Sequence, residues 1–202
     1  MDLNSKAIAL MFRPLLLIAI VMTGSASLSL TNAQTEERIF ENAVPKHVPL
    51  KIRIKKEKEQ SFNDLKNDKW VSEFELEVTN TGDRPIYHVA FVLKTNVTGA
   101  GVILNDNNGR EDRFGFDVRY GSDDFADIIT KARPGDVPIN PGETVVLTID
   151  SRETRPWEES VREGNHPQAT RIQLIIQILS FGDGTGLFAT GATPYPPPTK
   201  RQ

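Results

Sequence analysis

No cysteine occurs anywhere in the chain. That excludes disulfide staples, on which small extracellular domains often rely, and excludes a thiol nucleophile. It also excludes the lipid-accepting cysteine that bacterial lipoproteins carry after their leader. Histidine is scarce: His47, His88 and His166 are far apart in sequence and show no zinc-ligand spacing. No G-x-S-x-G elbow is present. The Gly182–Gly186 stretch "GDGTG" lacks the Gly-Lys-Ser/Thr ending of a phosphate-binding loop and reads as a tight turn. Basic residues are not in excess either. The formal net charge is −3, and without Asp2, Lys6 and Arg13 it is about −4. Nucleic-acid binding rests on clustered Lys and Arg, so this balance offers no footprint for it.

Long apolar runs are nearly missing as well. The one candidate, "PLLLIAIVM" at Pro14–Met22, follows Lys6 and Arg13 and precedes the small-residue stretch "TGSASLSLTNA". It is short of the roughly 20 residues that span a bilayer. A basic start, a short apolar core and a small-residue exit make residues 1–33 a secretory signal peptide, cut after Ala33 or alternatively after Ala26. The mature product is then expected in the periplasm or outside the cell, with nothing further to hold it in a membrane. Residues 34–47 read as a polar lead-in, 48–190 as the folded domain, and 191–202, with "TPYPPPTKRQ", as an extended proline-rich tail.

What is present is alternation. In "LKIRIK", Leu50, Ile52 and Ile54 alternate with Lys51, Arg53 and Lys55, a half-wet strand whose lysines suit a sheet edge. In "SEFELEVT", Phe74, Leu76 and Val78 alternate with Glu73, Glu75 and Glu77. Such a glutamate row is the ordinary wet face of a strand, and nothing nearby completes a cation site. "IYHVAFVLK", Ile86–Lys94, is apolar on both parities and predicts a central strand, with His88 as a core residue rather than a ligand. "TVVLTI" and "RIQLIIQILSF" predict two more strands, the latter with Ile172, Leu174, Ile176 and Ile178 on one face. "LFATG" reads as a short returning strand.

Between them lie turns and loops. "NTGDRP" has Asn80 and Asp83 to bond their own backbone and Gly82 to bend. Pro141-Gly142 fits the centre of a type II turn. Pro156 is placed at the first turn of a short helix that Gly164 stops, with Trp157 packed over the edge of the fold. The loop "NDNNGRED", Asn105–Asp112, tempts a calcium reading. With Gly109 as the sixth position, however, the first would be Leu104 and the twelfth Gly115, so the EF-hand pattern fails. Ser122–Asp127, "SDDFAD", is acidic without a ligand pattern.

Together these segments predict an all-β sandwich with one short helical insert. The frame from Phe74 to Asp150, "VTNTGDRPIYHVAFVL" followed by "PGETVVLTI", resembles the immunoglobulin-like modules of bacterial secreted proteins. The whole chain, including "QILSFGDGTG", resembles a family of uncharacterised exported bacterial proteins. The resemblance implies a fold and a compartment. It implies no catalytic residue, no cofactor and no metal. The expected function is therefore a non-catalytic module meeting an unknown protein or glycan partner at the cell envelope, through loops such as Asn105–Asp112 and Ser122–Asp127. A carbohydrate-binding module is the alternative, with Trp70, Tyr87, Tyr120 and Trp157 as candidate stacking aromatics. An enzyme would require the separated histidines to meet a carboxylate in a pocket.

Overall fold

A computed structural model describes residues 37–98 and 113–198. The signal-peptide reading and the Asn105–Asp112 loop lie outside the described residues. The described chain is predominantly β, and its two sheets fit a β-sandwich. Among the described residues, no helix is long and apolar enough to cross a membrane.

The smaller sheet orders β2 (Leu50–Ile54), β3 (Glu75–Asn80) and β6 (Thr144–Thr148), all antiparallel. β3 is central, and its strict alternation sets one face against the core and the other outward. Phe74, Leu76 and Val78 are buried, and the intervening glutamates are half-exposed. The basic strand β2 takes the edge. The larger sheet runs β5 (Arg113–Tyr120), β4 (His88–Thr98), β7 (Arg171–Ser180), β8 (Gly186–Phe188) and β9 (Thr193–Tyr195). β4 is central, consistent with apolar residues on both its parities.

One core joins the two sheets. Leu76 and Leu147 from the small sheet share it with Phe91, Leu93, Leu174 and Ile176 from the large one. The expected Ile172–Ile178 parity of β7 holds only as far as Ile176. Ala90 pairs with Ile178 but Phe91 with Ile176, so Gln177 is an extra residue. This bulge resets the alternation. Leu179, opposite Val89, takes the inner position, and Ile178 turns to the face covered by Phe125 and Ile128.

Residues 34–47 are more than a lead-in. Ile39–Asn42 forms β1, which pairs in parallel with Arg171–Leu174 on the edge of β7 opposite β4. β8 occupies the same edge further along, against Ile178–Ser180. The proline-rich tail likewise contributes β9 through Thr193–Tyr195. Neither strand is long enough for periodicity to reveal it; both exist because a neighbouring strand offers an unpaired edge.

The helical insert starts earlier than its proline suggests. α2 spans Ser151–Arg162, with the Asp150 carboxylate accepting from the Arg152 N–H as N-cap. Pro156 therefore falls in the second turn. Its missing N–H removes the i→i−4 bond that would go to the Arg152 carbonyl. The stop is as expected. Gly164, at φ +73°, donates to Val161 and Asn165 donates to Ser160, the paired bonds of a Schellman ending. Thr154, Trp157 and Val161 form the helix's inner stripe. A shorter helix, α1 (Lys56–Asn63), follows β2 and buries Phe62.

Candidate functional site

The turns come first, because they carry the resemblance. Asn140–Glu143 closes with the Glu143 N–H donating to the Asn140 carbonyl at 2.9 Å, and Gly142 sits at φ +80°. These are the marks of the expected type II turn. It is not isolated. The Gly142 N–H donates to the Asn80 carbonyl, and the Asn80 N–H donates to the Glu143 carbonyl. The fully buried Asn80 side chain donates to the carbonyls of Arg84 at 2.7 Å and Ile139 at 2.9 Å, while its oxygen accepts from the Gly82 N–H at 3.0 Å. The "NTG" and "PGE" turns are thus joined through the backbone and side chain of one residue, Asn80.

The outward face of the small sheet is a charge ladder. Arg53 meets Glu77 at 2.5 Å and Lys55 meets Glu75 at 2.5 Å, with Lys58 adding a contact to Glu75 at 3.2 Å. Hydrogen bonding to Lys55 holds the Glu75 carboxyl below its ordinary range and the lysine above its own. The signal lay in the sequence: "KIRIK" and "EFELE" are complementary alternations. The face is consequently neither a basic patch nor a free row of carboxylates.

The candidate stacking aromatics are not drawn together on the surface. Trp70 and Trp157 are in the core, edge to face at 6.2 Å, and Phe116 packs against both. Trp157 does not lie over an edge, because α2 delivers it inward from its own stripe. Tyr87 and Tyr120 are half-buried; the Tyr87 ring lies 5.6 Å from Phe125, and the Tyr120 hydroxyl donates to the Val137 carbonyl. Burial pushes the Tyr120 phenol up.

The three histidines occupy separate places. His47 donates to the Ala192 carbonyl, and the His166 ring lies tilted against Trp157, centroids 4.2 Å apart. His88 is sealed at the start of β4, opposite the equally buried Ser180 of β7. Asp123 and Arg119 act on it from nearby, and its ring is bonded to the Ser122 backbone. A serine, a histidine and an acid thus share one neighbourhood. They make no relay, because His88 Nδ1 has no hydrogen-bond partner and Ser180 accepts from the Gly182 N–H. Burial is the main cause that lowers the His88 pKa below its ordinary value.

Ser122–Asp127, offered as a display loop, proves partly structural. Ser122 caps a 3₁₀ turn at Asp123–Ala126, and Phe125 is buried beneath it. Among the described residues, no three His, Asp or Glu side chains are grouped to hold a metal.

Comparison with protein-family models, curated proteins and solved structures finds no match.

One residue carried no sequence signal at all. Arg38, just before β1, is 2% exposed. Its guanidinium lies 4.5 Å from the Trp70 ring centroid and 5.5 Å from that of Phe62. Nε donates to the Ala169 carbonyl at 2.9 Å, and Nη1 donates to Phe62 and, at 3.4 Å, to Asp64. The last two carbonyls end α1, where a cation suits the helix dipole. These hydrogen bonds all go to backbone carbonyls, and Nη2 has no partner. Burial draws the group down to about 10, partly offset by the Asp64 charge. A lone arginine before a four-residue strand looks like an ordinary surface residue in sequence; only the α1–Trp70 cage makes it an anchor.

Beside α1 lies an open cleft of about 1080 Å³ lined by Glu37, Glu57, Glu59, Asp64 and Glu73, with Lys66 among them. Ser61 at 2.6 Å and Asn67 at 3.0 Å bond the Glu73 carboxylate and hold its pKa below the ordinary range. Within that lining, Ser61, Asn67 and Glu73 bond one another and so tie α1 to the loop after it.

Proposed function

We propose that this chain is an exported, non-catalytic immunoglobulin-like protein that meets a protein or glycan partner at the cell envelope. The observation that carries the reading is where the chemistry-bearing side chains lie. His88, Ser180, Trp70 and Trp157 are packed inside the fold, and the charges of the small sheet's outer face pair with each other. Such an arrangement serves a rigid framework better than a reaction centre, which needs its nucleophile and base within reach of substrate. The Asn80 clasp supports the immunoglobulin-like part of the reading. It gives the two motifs behind that resemblance a shared physical purpose.

The test has two stages. The full chain, expressed in a bacterium, is fractionated and its N-terminus determined. Recovery outside the cytoplasm beginning at Gln34 or Ser27 is expected; retention inside with an intact leader overturns the export reading. The exported protein is then immobilised against envelope proteins and polysaccharides. Saturable binding that soluble protein competes away is expected, and its absence overturns the binding role.

A further inference from the structure

We infer that β1 is an exchangeable strap: it can leave its seat on β7, and the same segment of a second copy can fill that seat. The inference is independent of the function proposed above.

The first observation is topological. β1 belongs to the large sheet, but the strand that follows it, β2, belongs to the small one. The strap is tied to the following strand by residues 43–49 alone, a connection that includes Pro45 and Pro49. Joined to the following strand by one short link, β1 can move without unthreading the strands that follow it.

The second observation is what holds it. Ile39 is 53% exposed, and of the four β1 side chains only Phe40 packs against the core. The remaining attachment is backbone pairing, including Ile39 to the Thr170 carbonyl and Ala43 to the Leu174 carbonyl, plus the Arg38 plug. That plug is a buried cation bonded to neutral carbonyls and carrying an unpartnered N–H. Opening returns it to water, so the seat holds its most costly group under tension between desolvation and bonding.

The third observation identifies the occupant. An open strap leaves Arg171–Leu174 as an unpaired strand edge beside the cage of Phe62 and Trp70. Bare edges recruit strands. This one also requires an arginine ahead of the strand and an aromatic two positions later, in parallel register. The segment Arg38–Asn42 of another copy satisfies all of these and restores every bond that opening broke.

The absence of cysteine makes the test direct. Glu41 and Gln173 are register partners, within reach of a disulfide once both are cysteine. The doubly substituted chain, Glu41→Cys with Gln173→Cys, is expected to close within itself under copper–phenanthroline oxidation, which verifies the seat. Chains carrying only Glu41→Cys are then mixed with chains carrying only Gln173→Cys, incubated and oxidised. A 41–173 linked dimer is expected, accumulating with time and concentration. It should exceed by about tenfold the dimer formed when Val146→Cys, on the other sheet, replaces Gln173→Cys. Failure of the double variant to close overturns the seat. Closure there, with no 41–173 link above the Val146 control in the mixture, overturns the exchange.

Discussion

The Asn80 side chain donates to the Ile139 carbonyl at 2.9 Å, across 59 residues of sequence. The same amide serves Arg84, and its oxygen serves Gly82. Two turns that look like independent punctuation are therefore tied to each other through one residue. Asn80→Ala removes three side-chain hydrogen bonds and strands the Arg84 carbonyl and the Gly82 N–H, while the Ile139 carbonyl keeps the Ile86 N–H. The expected loss is about 2–4 kcal/mol, read as a lower urea midpoint at unchanged slope. Asn80→Asp, which keeps the acceptor but aims a carboxylate at two carbonyls, should be at least as damaging.

Two glycines separate conformational strain from collision. Gly142, at φ +80°, has open space where a Cβ would stand, so Gly142→Ala should cost only the left-handed backbone term, about 1–2 kcal/mol. Gly121, at φ +88°, would put its Cβ 2.0 Å from the Tyr87 carbonyl oxygen. Gly121→Ala must displace backbone next to His88 and should cost well above that. Equal melting temperatures for the two variants would contradict this packing.

Acid should weaken the fold through His88. Its folded-state pKa lies below the unfolded value, so the unfolded chain binds the extra proton as pH falls. The contribution is fully present above about pH 6.5 and is lost below it, at up to about 1.4 kcal/mol per pH unit. Asp123 favours the charged ring, whereas Arg119 and burial oppose it. Urea titrations between pH 7 and 5 should show a slope that His88→Gln removes; an unchanged slope in that variant would place the titrating group elsewhere.

The small sheet separates apolar from ionic contributions. Leu76 is fully buried at the centre of β3, and Leu76→Asp should unfold the protein, because an unpaired buried charge costs several kcal/mol. The Arg53–Glu77 pair has its arginine 57% exposed. A double-mutant cycle on it should give less than about 1 kcal/mol, shrinking further in salt. A Leu76→Asp variant that melts like the parent would contradict the placement of the core.

Strands were legible where their own side chains decide their fate. β3 alternates because one face meets the core, and β4 is apolar on both parities because both of its faces are covered, Val89, Phe91 and Leu93 in the core and His88 and Val92 buried on the other side. The failures have a common cause. β1 and β9 are made by another strand's free edge, which leaves no mark on "IFEN" or "TPY". The bulge at Gln177 arises from the register with β4, which periodicity along β7 cannot report. Pro156 drew attention from the true N-cap, Asp150, two residues past the end of β6. As for the candidate site, composition announced the missing thiols, but only tertiary packing places Trp70 and Trp157 inside and makes Arg38 an anchor.

The charge ladder has a consequence for alignment. Sliding β2 along β3 by two residues would keep every apolar side chain facing inward. It would also set Lys51 against Glu77, Arg53 against Glu75 and Lys55 against Glu73, a match no worse in sign than the native one. Neither grease nor charge can tell these frames apart. The native frame is picked out at the strand's end, where the Thr81 N–H donates to the Pro49 carbonyl and the Pro49 ring lies against Gly82. The degeneracy of the two frames is broken by the loop bearing Asn80, which acts as the zero mark of the ruler.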